Sequence, residues 1–440
     1  MSLRFGTDGI RADARDALTA PVVAALGRAG AEVLGADGLV VGRDTRASGP
    51  SLAAALHAGV QAAGGGSVDL GIVPTPAVAL WCAHENVAGA MVSASHNPWH
   101  DNGIKFFAPG GAKLGDVVQD RIQTRFDELL ASADTPTHAV GDDRHADAVE
   151  RHVAALVASL DGRTLGGLRI VADAANGAAS TIIAEVFGRL GADVVVIHAS
   201  PDGHNINDHC GSTHPESLCA AVLSEGADLG VAFDGDADRL VAVDGGGRIV
   251  DGDQIIAICA RDRHERGVLT GEAVVVTVMT NLGFRRSMAA AGIHVIDTKV
   301  GDRHVLEALD AGGYSLGGEQ SGHIIFRDLA PTGDGVLSAV QLIDVVARTA
   351  RPLGDLASAS MTRLPQVLRN VRVATRPDDV DSVLAPFVEA SMGRMAGRGR
   401  VLIRPSGTEP LIRVMVEAET DAEAQMEADG LVAAVESLFG

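Results

Sequence analysis

Short apolar runs bounded by Gly, Asn, Asp or Pro recur along the chain, and their order predicts its layers. Leu39-Val40-Val41 is followed by Ser48-Gly49-Pro50, which reads as the cap and first turn of a helix, and then by Ser67-Val68-Asp69-Leu70. The same order returns in Arg169-Ile170-Val171-Ala172, a turn into a helix at Asn176-Gly177, and Val194-Val195-Val196-Ile197. A third copy runs from Val274-Val275-Val276 through a turn at Asn281-Leu282-Gly283 to His294-Val295-Ile296. Continuously apolar strands alternating with helices predict α/β layers with buried, partly parallel sheets. The irregular spacing between copies favours separate domains over one continuous array. The C-terminal part differs: Val371-Arg372-Val373, Val401-Leu402-Ile403 and Arg413-Val414-Met415-Val416-Glu417 read as an antiparallel sheet, followed by an Ala/Glu-rich helix from Asp421. The predicted fold class is α/β, three similar mixed α/β domains plus a C-terminal α+β domain. The expected domains are 1–158, 159–254, 255–364 and 365–440, each with one chemically loaded loop.

The first such loop is Val92-Ser93-Ala94-Ser95-His96-Asn97-Pro98. It breaks an apolar strand and places a hydroxyl on a turn, close in sequence to His96 and Lys105, where it is suited to carry a covalent intermediate. An Asx/Ser turn without chemistry is the alternative. The second, Asp234-Gly235-Asp236-Ala237-Asp238-Arg239, follows Leu229-Gly230-Val231-Ala232-Phe233. Three carboxylates at alternate positions of extended backbone project to one side and repel unless a cation sits among them. Hard oxygen donors suit Mg²⁺, with a phosphoryl oxygen on Ser95 as a further ligand. An EF-hand is excluded, since its Gly and Glu positions hold Arg239 and Gly245. A solvated acidic turn stays open. So does a likeness to the nucleophile strand of haloacid-dehalogenase-type phosphotransferases, in which Asp234 would be the nucleophile and Asp238 stands where Thr or Val is usual.

Gly317-Gly318-Glu319-Gln320-Ser321-Gly322-His323 offers donors and acceptors that suit a sugar ring, with His323 able to shuttle protons; a polar surface loop would read much the same. Arg404-Pro405-Ser406-Gly407-Thr408-Glu409-Pro410, with Arg413 beyond it, combines a Gly turn, two hydroxyls and two guanidinium forks into a phosphate cradle, or into a hairpin with incidental arginines.

In this order the four loops resemble those of the α-D-phosphohexomutase superfamily, over nearly the whole chain. Phe5-Gly6-Thr7-Asp8-Gly9-Ile10-Arg11, the stretch from Asn205-Ile206-Asn207 to Cys210-Gly211-Ser212-Thr213-His214, and Gln320 look like those of its glucosamine-phosphate members; Ala12 departs from the usual Gly. The resemblance implies domains around a central cleft in which the loops meet. It implies phosphorylated Ser95, Mg²⁺ held by Ser95, Asp234, Asp236 and Asp238, and Arg239 stabilising the transferring charge. Lys105, His96 and His323 would move protons, with Lys105 favoured on the expectation of cations nearby. Arg11, Glu319, Ser321, Arg404, Ser406, Gly407, Thr408 and Arg413 would hold substrate. The expected reaction interconverts glucosamine 6-phosphate and glucosamine 1-phosphate, with a hexose or glucosamine 1,6-bisphosphate as activator and intermediate. Gluco- or mannose-phosphate mutases, an Asp234-nucleophile sugar phosphatase and a non-catalytic sugar-phosphate sensor are the alternatives.

Composition narrows this further. A chain of 440 residues exceeds a single core. A net charge of −21 speaks against nucleic-acid partners, so an anionic ligand must be held by local charge. Lys105, Lys113 and Lys299 are the only lysines. The four cysteines form no C-x-x-C pair, and His204, His209, Cys210 and His214 are too irregularly spaced for a zinc motif. With no signal pattern and no membrane-length apolar run, the expectation is a cytoplasmic enzyme with a small-molecule amino-sugar phosphate as partner, no nucleic acid and no membrane; a homodimer accords with the resemblance.

Overall fold

The computed structural model describes residues 3–6, 9–35, 38–132, 136–374, 379–405 and 410–440. Its first sheet is built from Ile10–Asp13 (β1), Gly38–Arg43 (β2), Gly66–Ile72 (β3), Ala88–Val92 (β4), Asp101–Phe107 (β5) and Asp142–Asp143 (β6), in the order β1-β5-β4-β2-β3-β6. The apolar strand β2 lies between β3 and β4, parallel to both, while β5 returns antiparallel to β4. Helices Ala20–Leu34 and Gly49–Ala62 cross at close range because a Cβ on Gly59 would stand 2.1 Å from Ala24 O. Only glycine allows that approach.

The second sheet comprises Arg169–Asp173 (β7), Asp193–Ile197 (β8), Leu229–Phe233 (β9), Leu240–Asp244 (β10) and Ile249–Val250 (β11), in the order β11-β10-β9-β7-β8. Strand β7 is parallel to β8 and β9. The third comprises Ala273–Thr277 (β12), His294–Thr298 (β13), Leu316–Gly318 (β14) and Ile324–Phe326 (β15), with β12 parallel to β13 and β14. Parallel pairs and their covering helices bury both faces of the central strands, which is why Leu229–Phe233 and Ala273–Thr277 are buried at every position and, Thr277 apart, carry no polar side chain.

Two compact units result: residues 1–279 with 291–360, and residues 280–290 with 361–440. The second holds the antiparallel sheet Gln366–Arg372 (β16), Arg400–Pro405 (β17) and Leu411–Glu417 (β18), ordered β16-β18-β17, with helices Val380–Met395 and Asp421–Phe439. It also takes in Leu282–Ala290, the helix expected between the two strands of the third copy. Asn281 fixes that helix start: its Nδ2 donates to Leu364 O and its Oδ1 accepts from Leu364 N, both at 3.0 Å. The fully buried Glu417 carboxylate accepts from Leu282 N at 2.9 Å and from Arg400 Nε at 3.0 Å.

Candidate active site

Because β2 and β4 are neighbouring parallel strands, the segments leaving their C-terminal ends, Asp44-Thr45-Arg46 and Ser93 to Pro98, lie side by side. Ser95 is buried and holds a φ of +53°, left-handed backbone that a non-glycine residue adopts at a cost. Two side chains grip it there. Arg46 Nη2 donates to Ser95 O at 3.1 Å and Asn97 O at 2.6 Å, and Asn207 Nδ2 donates to the same carbonyls at 2.9 and 3.1 Å. Arg46 is itself fully buried and ion-paired with Asp44. Ser93 Oγ accepts from Ser95 N at 2.9 Å. Thus the hydroxyl of Ser95 is aimed: its Oγ donates to Asp234 Oδ2 at 2.5 Å and lies 3.4 Å from His96 Nδ1.

The carboxylates of Asp234, Asp236 and Asp238 converge within 4.8 Å and are all buried. Extended backbone is not the means. After β9 the chain turns, with Ala237 at a φ of +59°, because Asp-Gly and left-handed Ala237 fold the loop back on itself. Thr75 Oγ1 donates to Asp236 Oδ2 at 2.6 Å, and Arg239 N donates to Asp234 Oδ1 at 3.1 Å. Lys105, on β5, places Nζ 2.7 Å from Asp236 Oδ2 and 3.3 Å from Asp238 Oδ2. The two carboxylates it meets are anions, where the sequence had suggested cations.

Crowding divides the three carboxyls. Burial, then Asp238 and Asp236, push Asp234 well above the usual carboxylate range. Burial would raise Asp238 as well, but Lys105, His323 and Arg239 hold it well below that range. Asp236 is held low against burial and Asp238 by Lys105 and Thr75. Burial lowers His96, with the Arg239 and Arg11 charges adding to it. Asp236 Oδ1 and Asp238 Oδ1 are buried without a hydrogen-bond partner among the described residues. Orphaned anionic oxygens on three converging carboxylates are what a hard divalent cation would fill.

Beside the triad a cavity of about 330 Å³ is lined by Arg239, Asp302, Glu319, Gln320, Ser321 and His323, among others. Glu319 Oε1 accepts from Gly301 N at 3.0 Å. His323 is buried, with Nδ1 3.7 Å from Asp238 Oδ1 and Nε2 3.5 Å from Asp302 Oδ2. Arg11 lies on β1, opposite Gly103 of β5. In the second unit, Arg404 on β17 stands directly opposite Arg413 on β18. Burial lowers Arg404, and the Arg413 charge lowers it further. Like charges so paired are destabilising unless an anion joins them. Ser406, Gly407 and Thr408 lie outside the described residues.

The groups missed from sequence are Arg46, Thr75 and Asn207. Arg46 had a readable signal: Asp44-Thr45-Arg46 ends a strand just as the Ser95 loop does. The role of Asn207 depends on tertiary contacts 112 residues apart in sequence, which no local pattern announces.

Four family models match in succession: phosphoglucomutase/phosphomannomutase alpha/beta/alpha domain I over residues 2–132, domain II over 143–247, domain III over 251–364 and the C-terminal domain over 368–434. A phosphoglucosamine mutase of Pelotomaculum thermopropionicum is 52% identical over 427 residues, covering 95% of this chain and 96% of the relative. One from Frankia alni is 52% identical over 454 residues, covering 99% and 98%. The crystal structure of a phosphoglucomutase/phosphomannomutase family protein from Burkholderia thailandensis is 27% identical, with a TM-score of 0.80 over 98% of this chain and 97% of that one.

Proposed function

The chain belongs to the phosphoglucomutase/phosphomannomutase family, on the phosphoglucosamine mutase branch, and we propose that it interconverts glucosamine 6-phosphate and glucosamine 1-phosphate through phosphorylated Ser95. The observation that carries this reading is the 2.5 Å contact between Ser95 Oγ and Asp234 Oδ2, at the edge of a buried three-carboxylate cluster. A hydroxyl held in left-handed backbone by two clamping side chains is positioned for a task a passive turn would not need.

Asp234, Asp236 and Asp238, with a Ser95 phosphoryl oxygen, would hold Mg²⁺. The fit rests on their all-oxygen donor set and on the two orphaned oxygens. Bound there, the ion neutralises charge on the phosphoryl group.

The residues do the rest. A sugar hydroxyl attacks phosphorus, the bond from phosphorus to Ser95 Oγ breaks, and a 1,6-bisphosphate forms. The intermediate turns over, and its other phosphate returns to Ser95 by the same displacement in reverse. The attacking hydroxyl loses its proton to one of His96, Lys105 or His323, and Ser95 Oγ takes up a proton as its bond to phosphorus breaks; His96 Nδ1, 3.4 Å from Ser95 Oγ, is the near carrier for the leaving oxygen. Arg239 lies beside the triad and counters charge on the transferring group. Glu319 and Ser321 hold ring hydroxyls from the cavity wall. For the phosphate that is not reacting, Arg11 is the candidate in the first unit, and Arg404 and Arg413, with Ser406, Gly407 and Thr408, are the candidates in the second.

The test is ³¹P NMR with Mg²⁺, a trace of hexose 1,6-bisphosphate, and the 6-phosphates of glucosamine, glucose and mannose in competition. Glucosamine 1-phosphate is expected to grow fastest, and Ser95→Ala is expected to abolish it. Faster glucose or mannose turnover moves the substrate within the family. Activity retained by Ser95→Ala would overturn the serine mechanism.

A further inference from the structure

A second cluster of ligand-type side chains lies where β7 and β8 end, outside the cavity and the acidic triad. Asp173 closes β7, His198 follows β8, and Cys210 sits on the loop between β8 and β9. One donor atom from each lies within 4.8 Å of the others. Asp173 and Cys210 are fully buried, whereas His198 is 31% exposed at its side chain. From these residues we propose a binding site for a thiophilic divalent cation of the zinc class, formed by Asp173, His198 and Cys210 and separate from the acidic triad.

The geometry carries the proposal in three ways. First, His198 Nδ1 is 3.1 Å from Asp173 Oδ1, yet it is a buried atom that makes no hydrogen bond there. Two polar atoms this close without a hydrogen bond between them are spaced as two ligands of one cation. Second, the ligand atoms are held from behind. Asp173 accepts from Ala175 N and Gly211 N, both at 2.9 Å, and Asn176 Nδ2 lies 3.9 Å from Cys210 Sγ. Such outer contacts orient a carboxylate and a sulfur toward a metal. Third, His198 occupies a φ of +47°. Glycine would make that turn without strain, so the imidazole is present against a local cost.

The donor set selects the metal. One sulfur, one imidazole nitrogen and one carboxylate suit zinc, whereas the all-oxygen triad suits magnesium. Tetrahedral coordination asks for ligand atoms about 3.5 Å apart, slightly more than the 3.1 Å between His198 Nδ1 and Asp173 Oδ1 and inside the 4.8 Å that bounds the set. On binding, the S–H bond of Cys210 breaks, a metal–sulfur bond forms and the proton passes to solvent. Thiolate and carboxylate then balance the cation. Occupancy would brace the nucleophile loop, because Asn207, three residues from Cys210, holds the carbonyls of Ser95 and Asn97. Asn176 O likewise accepts from Thr45 Oγ1 at 2.6 Å, next to Arg46.

The full-length protein, stripped of metal and returned to excess Mg²⁺, would be titrated with Co²⁺. One equivalent should raise a thiolate-to-cobalt charge-transfer band in the near ultraviolet, and Zn²⁺ should displace it. Cys210→Ser should abolish the band. His198→Gly, which suits the backbone and so should fold, should weaken cobalt binding at least about tenfold. Absence of the band from the wild type, its persistence in Cys210→Ser, or unchanged affinity in folded His198→Gly would each overturn the site.

Discussion

Replacing Asn207 by Gly isolates the grip on the nucleophile loop, because Asn207 has a φ of +58° and glycine keeps that backbone without strain. The change removes two hydrogen bonds, to Ser95 O at 2.9 Å and Asn97 O at 3.1 Å. Each is worth about 0.5–1.5 kcal/mol net. They oppose a left-handed serine that costs about 1–2 kcal/mol. Arg46 still donates to both carbonyls, so neither acceptor is orphaned and the loss falls in the lower part of the sum. A loss of about 1–2 kcal/mol lets the loop leave its aimed state and lowers kcat about 5–30-fold. Asn207 is not among the residues assigned to hold substrate, so KM should stay within about twofold. The assay is steady-state conversion of glucosamine 6-phosphate to glucosamine 1-phosphate, with thermal unfolding to verify that the variant folds. Asn207→Asp, which turns a donor toward two carbonyl oxygens into an acceptor, should lose more than Asn207→Gly. An Asn207→Asp enzyme as fast as the wild type, or a loss confined to KM, would refute the clamp.

Three further perturbations test other parts of the structure. A Cβ on Gly252 would stand 2.5 Å from Glu319 O and 2.7 Å from Gln320 O, so Gly252→Ala should displace the sugar loop. It should raise KM and cost about 1–3 kcal/mol in denaturant unfolding; an unchanged KM would count against that loop holding substrate. Glu417→Gln removes the buried charge that meets Arg400 and Leu282 N, and should destabilise the C-terminal unit by about 2 kcal/mol, read from thermal unfolding. His57 is buried, with both ring nitrogens unpartnered among the described residues, and burial lowers its pKa, offset in part by Asp69. The unfolded imidazole therefore takes up its proton first, near pH 6.5, and stability falls as pH drops from there toward the folded value. His57→Gln should flatten that decline in urea midpoints below about pH 6.5; parallel curves for the two proteins would remove His57 from the acid response.

How far the chain could be read depended on whether a feature was local. Strand–helix–strand order was visible at Leu39, Arg169 and Val274 because parallel strands buried on both faces are apolar without interruption. The helix of the third copy, Leu282–Ala290, belongs to the same compact unit as the C-terminal sheet, and nothing in its short run, LGFRRSMAA, announces the Asn281 contacts far along the chain that hold its start. At the site, Ser95 and the three aspartates stood out because each loop carries its chemistry in a few adjacent residues. Their geometry did not. The turn at Ala237, the anionic surroundings of Lys105, and the roles of Thr75, Arg46 and Asn207 follow from strand order, which a sequence pattern does not state. The histidines at 204, 209 and 214 drew attention as metal donors, yet His209 is 90% exposed at its side chain, and the compact cluster uses Asp173 and His198 instead.

The ammonium of Lys105, set among Asp236 and Asp238, has a bearing on how this enzyme tolerates scarcity. A nest of bare carboxylates would burst apart in a protein deprived of its ion, and folding would wait on metal supply. Here a tethered cation stands in for it, 2.7 Å from Asp236, and the scaffold carries its own understudy. Chelation should therefore silence turnover while leaving the melting temperature almost where it was, and Lys105→Met should make the same chelation visible as a drop in melting temperature. Idle enzyme would then be a stored reserve, intact and ready when the ion returns, rather than a casualty marked for proteolysis.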